Sequence, residues 1–352
     1  MERAVYRIID ANFNRAREAI RVIEEFCRFA LNSVQLTERA KQIRHEISKA
    51  ISKLDAVLLI SSRDTLDDVG IGRTVDNQFV RGELLDCFTA GCKRLTEALR
   101  ALAEMTQTLD RSVAEALEKL RYSAYTLEKD IVTYADTIER FKRVKLYIII
   151  TSNLPTEVIS LTYKCVDGGA DCIQLRVKAV EDDVLFALAV EFVRICKDAG
   201  VLSIINDRID VAVASGADGV HLGQNDLPVE QARKLQFAPL ITGKSTHSPM
   251  QLRAACQERP TYAALGPVFA TTTKPAAPAV GLDYVRQAKE ILEGTGIGNV
   301  TIGGITLDNV EEVLKAGADA IAVCAAVTKA ADPEKACRAF KEKINAFKVT
   351  DP

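Results

Sequence analysis

The chain has 352 residues, 48% of them hydrophobic and 27% charged, with a formal net charge of −2. That length allows two domains, or one large barrel with an addition, and the near-neutral balance excludes a global pull towards nucleic acid or anionic membrane, so any anion site must be local. No apolar run reaches the length of a spanning helix, and the first residues carry charges where a signal peptide has an apolar core, which makes the cytoplasm the expected location.

Residues 1 to about 140 read as helix with one interruption. Ile20, Ile23, Phe26, Ala30 and Leu31 recur at helical spacing, a break is expected near Asn32-Ser33, and a second helix covers about 34–54. Residues 61–78 are polar and glycine-bearing and read as a long loop, after which helices are expected over about 81–108 and 111–138. This half echoes itself. NRAREAIRVIEEFCR (14–28) aligns with KRLTEALRALAEMTQ (93–107), matching Arg15 with Arg94, Glu18 with Glu97, Ala19 with Ala98, Arg21 with Arg100 and Glu25 with Glu104. KQIRHEI (41–47) and EKLRYSA (118–124) sit on the following helices, so a duplicated helical hairpin packed as a four-helix bundle is expected.

At Lys145 the period changes. Strands are expected at about 145–151, 172–177, 201–206, 218–222, 239–243, 261–265, 299–303 and 319–324, each followed by a helix. Eight such units over about 145–348 predict an α/β (β/α)8 TIM barrel preceded by an all-α helical bundle domain at 1–140. An open doubly wound sheet would gather its motifs at one switch point, whereas here they follow many strands.

Those motifs are QLRVK (174–178), IIND (204–207), HLGQND (221–226), GKSTHS (243–248) and GPVFATTTKP (266–275). Period-two alternation puts Gln174, Arg176 and Lys178 on one side of an extended strand, and Arg with Lys suits a phosphate, although a solvated strand edge has the same composition. Asp207 and Asp226 follow adjacent strands and suit a magnesium ion, while Asp207 alone also fits a helix cap. GKST is not a P-loop: five residues before Gly243 stands Ala238, and the residues between read as strand. Ser245 and backbone amides at a strand–helix junction remain as phosphate contacts, and His247 is given no chemistry. GPVFATTTKPAAP reads as a lid or substrate-holding loop, and IGGI (302–305) and VCAA (323–326) end the last two strands where barrel enzymes seat phosphate. The nine cysteines include no CxxC pair and only three histidines accompany them, which argues against a zinc site and for most of the cysteines being small, reduced, buried thiols.

At these motifs, with INDR and GADAIAV, the chain resembles thiamine phosphate synthase over about 145–346. The resemblance implies that 4-amino-2-methyl-5-hydroxymethylpyrimidine diphosphate loses pyrophosphate and that the nitrogen of hydroxyethylthiazole phosphate attacks the exposed methylene. It implies Gln174, Arg176, Lys178, Asn206, Ser245 and Lys274 for the diphosphate substrate, and Asp207 and Asp226 for Mg2+. Thr271 and Thr273 would contact the thiazole, with its phosphate near Gly304, Cys324 and Ala325. Ala325 departs from the serine usual in the family, which removes one hydroxyl from that seat. RIIDANFNRAREAIRVIEE and SRDTLDDVG resemble an extension associated with phosphorylating the pyrimidine monophosphate, for which Asp10, Asn12, Asn14, Arg15, Arg63 and Asp64 are the candidates. Assembly or docking is the other reading of that half. The partners expected are small-molecule substrates, with no nucleic acid and no membrane, and a homo-oligomer is left open. Two further readings of the barrel stand beside the synthase: a thiazole phosphate isomerase, and a non-catalytic sensor of thiamine precursors.

Overall fold

A computed structural model describes residues 2–65, 68–69, 80–178, 180–235, 240–271 and 278–350. The chain divides into two compact units, Met1–Ala135 and Asp136–Pro352.

The first unit is helical: α1 (Glu2–Glu25), α2 (Val34–Ile51), the short α3 (Ala56–Ser61), α4 (Leu84–Thr106) and α5 (Arg111–Lys142), which crosses the unit boundary. Ile9, Ala16, Ala19, Ile20 and Ile23 of α1 form one buried stripe, and they share a core with Ile43 and Ile47 of α2, Leu95, Leu99 and Leu102 of α4, and Leu117 and Leu127 of α5. The expected run to Leu31 ends differently from a plain helix. Phe26–Ala30 widens into a π turn, with the Leu31 N–H donating to the Phe26 carbonyl at 3.2 Å. Asn32 then takes a left-handed φ of 49°, and Ser33 caps α2 by accepting from the Leu36 N–H at 3.3 Å. The echoed helices α1 and α4 carry equivalent ion pairs, Arg21–Glu25 at 3.3 Å and Arg100–Glu104 at 2.6 Å. The short α3 was missed because it lacks a full apolar period; Asp55 starts it by accepting from the Val57 and Leu58 N–H groups at 2.8 and 3.0 Å.

The second unit is a closed parallel barrel of β1 (Leu146–Ile150), β2 (Cys172–Leu175), β3 (Leu202–Asn206), β4 (Gly219–Leu222), β5 (Ile241–Thr246), β6 (Tyr262–Leu265), β7 (Gly298–Ile302) and β8 (Ala320–Val323), each strand paired with the next and β8 with β1. Its helices are α6 (Pro155–Asp167), α7 (Asp182–Asp198), α8 (Ile209–Ser215), α9 (Val229–Arg233), α10 (Pro249–Glu258), α11 (Gly281–Leu292), α12 (Val310–Lys315), α13 (Ala325–Thr328) and α14 (Pro333–Thr350). Alternation along the strands sorts the core. Leu146, Ile148 and Ile150 pack outwards with α6 and α14, while Tyr147, Cys172, Leu202, Ile204, Ile241, Tyr262 and Val300 fill the barrel interior.

The N-terminal end of the barrel is tied by a thrice-used Gly-Ala-Asp. Asp171 Oδ2 accepts from the Lys145 and Leu146 N–H groups, each at 2.9 Å; Asp218 Oδ2 accepts from the Ser203 N–H at 2.8 Å; and Asp319 Oδ2 accepts from the Asn299 N–H at 3.0 Å. Each carboxylate accepts from backbone N–H at the start of the preceding strand. This end serves stability; the opposite rim carries the motifs.

Candidate active site at the barrel rim

A cavity of about 710 Å³ opens at the C-terminal rim. Gln174, Arg176, Lys178, Asn206, Asp207, Asp226, Ser245, Thr271, Gly304, Cys324 and Ala325 all line it, so the fold brings these sequence candidates together. Thr273 and Lys274 lie outside the described residues.

β2 ends at Leu175, which leaves Arg176 and Lys178 just beyond the ladder on the side of Gln174. Gln174 is buried and donates from Nε2 to Asn206 Oδ1 at 3.1 Å, which leaves the Asn206 N–H2 as the group aimed into the cavity. Among the described residues the Arg176 guanidinium has no hydrogen-bonded carboxylate.

Asp207 does not cap α8. The cap position is Arg208, whose side chain goes instead to Asp182 and Asp210 at 2.5 and 2.6 Å. Asp207 itself takes a left-handed φ of 63°, fixed by its N–H donating to the His221 carbonyl at 2.8 Å. Its carboxyl is pushed up to about 6, first by burial and then by its hydrogen bond with Asp226 and that group's charge; Lys178 and Arg176 pull the other way. Lys178 Nζ stands 3.9 Å from Asp207 Oδ2, and Asp226 Oδ2 accepts from the Gly223 N–H at 2.6 Å. Two neighbouring carboxylates, one of them raised by burial and by the other, fit a divalent cation. Among the described residues no group of three or more His, Cys, Asp or Glu gathers as a metal site.

β5 runs through Thr246, further than the expected end at 243, because its ladder with β6 continues to Thr246↔Leu265. Ser245 is therefore an inward strand residue, and the strand–helix junction expected for it falls later, at His247-Ser248. At the other end of the cavity, Cβ atoms at Gly303 and Gly304 would lie 2.3 Å from Pro267 Cα and 2.5 Å from the Ala270 carbonyl. The IGGI glycines thus let the turn after β7 press against the GPVFA segment. Asn309 holds the same turn, donating to the Gly304 carbonyl at 3.0 Å and accepting from the Thr306 N–H at 2.8 Å. The four-residue α13 starts at Ala325, immediately after Cys324.

Sequence reasoning missed the inner part of the cavity. His221, Tyr262 and Tyr147 line it, with Tyr262 OH 3.0 Å from His221 Nδ1 and 2.9 Å from Tyr147 OH, and His221 Nε2 2.9 Å from Ser245 Oγ. A signal existed: Asn206↔His221↔Gly243↔Tyr262 is one row of partners around the barrel, visible only once four strands are in register.

A family model described as thiamine monophosphate synthase matches residues 146–327, the span of the barrel and this rim. The Gloeobacter violaceus thiamine-phosphate synthase is 38% identical over 344 residues, covering 98% of both chains. The chain belongs to the thiamine-phosphate synthase family. It is accordingly an alkyl-transferring enzyme. The Rhodopirellula baltica synthase is 38% identical, covering 92% of this chain and 88% of its own. Among solved structures, thiamine phosphate pyrophosphorylase from Pyrococcus furiosus has 34% identity and a TM-score of 0.54, covering 59% of this chain and 98% of that one. A second model, the ThiD2 family, matches residues 7–130. Relatives that match over almost the full length and carry the synthase name favour the enzyme over the sensor and isomerase readings. Among the described residues no helix is long and apolar enough to cross a membrane.

In the helical unit, Asp10 is buried and accepts a forked pair of hydrogen bonds from Arg63 at 2.6 and 2.8 Å. Arg7 reaches the Asp64 carbonyl at 2.7 Å, and Asn14 donates to the Asp10 carbonyl at 3.0 Å. Asn12 and Arg15 face each other on the outside of α1, 3.5 Å apart. Asp10, Asn14, Arg63 and Asp64 are thus gathered, while Asn12 and Arg15 form a separate surface pair.

Proposed function

We propose that the rim cavity condenses 4-amino-2-methyl-5-hydroxymethylpyrimidine diphosphate with hydroxyethylthiazole phosphate, giving thiamine phosphate and pyrophosphate. The single observation that carries this reading is one cavity in which Arg176, Lys178, Asn206 and Ser245 meet the crowded Asp207–Asp226 pair. That is a seat for a diphosphate with its counter-ion, and the diphosphate is the leaving group.

Arg176, Lys178, the Asn206 amide, Ser245 and Lys274 hold the diphosphate oxygens, and Gln174 keeps Asn206 turned towards them. Asp207 and Asp226 hold magnesium, which when bound neutralises charge on the departing group. The methylene–oxygen bond breaks with its electron pair leaving on pyrophosphate, and the pyrimidine amino group feeds electrons towards the cation-like methylene. The thiazole nitrogen then forms the new carbon–nitrogen bond with its lone pair. No side chain has to act as nucleophile; the residues orient two substrates and stabilise charge on one. Thr271 and Thr273 are the thiazole contacts in this reading, and its phosphate sits at the backbone of Gly304, Cys324 and Ala325 where α13 begins, at the usual phosphate position of such barrels.

We propose two domains, 1–140 and 145–348. The ThiD2 match over residues 7–130 favours a second activity for the helical one, phosphorylation of the pyrimidine monophosphate, with Asp10, Asn14, Arg63 and Asp64 as the polar cluster. Purified full-length protein is given magnesium and the thiazole phosphate, with either the pyrimidine diphosphate or the monophosphate plus ATP. Thiamine phosphate from the first tube supports the barrel reading, and from the second the kinase reading; binding without product in the first would return the barrel to a sensor.

A further inference from the structure

Gly243, the glycine behind the P-loop likeness of GKST, has a different use in the fold. A Cβ there would lie 2.3 Å from the Tyr262 hydroxyl and 2.6 Å from His221 Nδ1, the two atoms that meet across the gap at 3.0 Å. Tyr262 OH also meets Tyr147 OH at 2.9 Å, and His221 Nε2 meets Ser245 Oγ at 2.9 Å. Side chains from β1, β6, β4 and β5 thus make one hydrogen-bonded chain. It begins in the closed core, where Tyr147 is 2% and Tyr262 0% exposed, and ends on a hydroxyl that lines the cavity.

Each hydroxyl has one proton to give and a neutral imidazole has one, so the chain can run in two directions. Running inwards, Ser245 donates to the ring, and the last proton, on Tyr147, is left in the core facing the sulfur of Cys172, a weak acceptor. Running outwards, Tyr147 donates to Tyr262, Tyr262 to His221 Nδ1, and His221 Nε2–H to Ser245 Oγ. The final proton then points into the cavity, where an anion accepts it. A buried donor with only a weak acceptor is the costlier end, which selects the outward direction.

We infer that His221 is held as the neutral Nε2–H tautomer and is a positioning residue that makes the Ser245 hydroxyl a donor to the leaving diphosphate. This rests on the proposed contact between Ser245 and the diphosphate. It also gives the GKST glycine its reason: any side chain at 243 separates Tyr262 from His221 and frees the ring to turn over.

Nitrogen-15 spectra of the histidine-labelled full-length protein at pH 7 test the tautomer directly, with His45→Gln and His247→Gln used only to assign the three rings. A neutral His221 ring protonated at Nε2 is expected; an Nδ1-protonated ring or an imidazolium overturns the inference. Kinetics give an independent reading, because Gln places an N–H where Nε2 stands and Asn places its amide where Nδ1 stands. His221→Gln is expected to retain turnover within about tenfold of the parent, and His221→Asn to lose about 10²-fold in kcat, the size of one lost preorganised donor, with KM for the thiazole phosphate unchanged. Equal rates in two variants that melt like the parent overturn it. Ser245→Ala separates the two readings: normal turnover there removes the diphosphate contact itself, while impaired Ser245→Ala beside unimpaired His221→Asn removes only the positioning role.

Discussion

The charged residues of the helical unit and those of the barrel rim differ in arrangement. Among the described residues the buried carboxylates of the first unit have counter-ions: Asp10 holds Arg63 through two bonds and Glu24 holds Arg44 at 2.9 Å, and the half-buried Asp130 holds Arg39 at 2.8 Å, although Arg39 Nη1 is itself buried without a hydrogen-bond partner. At the rim burial, and then the neighbouring Asp226 carboxylate, push Asp207 up to about 6, while among the described residues Arg176 has no hydrogen-bonded carboxylate. Charges that satisfy one another serve the fold, whereas charges held in mutual conflict or left without a bonded partner wait for a ligand. By that criterion the rim is the site that its own residues leave incomplete.

The largest effect expected from breaking this contrast is at Arg176. Arg176→Ala should lower kcat/KM by about 10²-fold or more without changing the melting temperature, as for loss of one preorganised donor. Arg44→Ala in the helical unit should do the reverse. It leaves Glu24 short of a partner at a cost of about 1–3 kcal/mol, read as a lower melting temperature, with synthase turnover unchanged.

Asp226→Asn sharpens the metal side. It should raise the magnesium needed for half-maximal rate by about tenfold or more, read from rate against magnesium at saturating substrates. The same titration should depend on pH. Because Asp207 keeps its proton up to about 6, the magnesium requirement should rise as pH falls from 7 to 5. In metal-free protein the folded chain holds that proton to higher pH than the unfolded chain, whose carboxyl has the ordinary value of 3.8. Stability should therefore decline as pH rises through that window, and magnesium should abolish the decline. A flat magnesium requirement between pH 5 and 7 would contradict the assignment.

Within the barrel, the smallest effect on activity is expected at the end opposite the rim. Asp171→Ala removes the acceptor of two strand amides and should cost about 1–3 kcal/mol, seen in the urea midpoint, while kcat stays within about twofold.

What could be read from the sequence follows from how local the signal is. Gln174, Arg176 and Lys178 share a face because alternation along one strand places them there, and the succession of strand-end motifs called for a closed barrel rim. The end of β5 was misplaced because Lys244 and Ser245 look like a turn, and pairing with β6, and of Lys244 with β4, makes them strand. His221, Tyr147 and Tyr262 escaped because their meaning lies in contacts across four strands, between residues up to 115 apart in the chain. Asp207 was open between helix cap and metal ligand, and its backbone conformation removed the first. The Gly-Ala-Asp ties at the barrel base repeat in the sequence, yet nothing local says that each aspartate serves the preceding strand.

The most direct test of the central claim, that the rim seats the leaving diphosphate, is calorimetric titration of inorganic pyrophosphate into the full-length protein with and without magnesium. Binding should require magnesium and should weaken by about tenfold or more in Arg176→Ala. Binding of equal strength without magnesium, or unchanged in the variant, would place the diphosphate elsewhere.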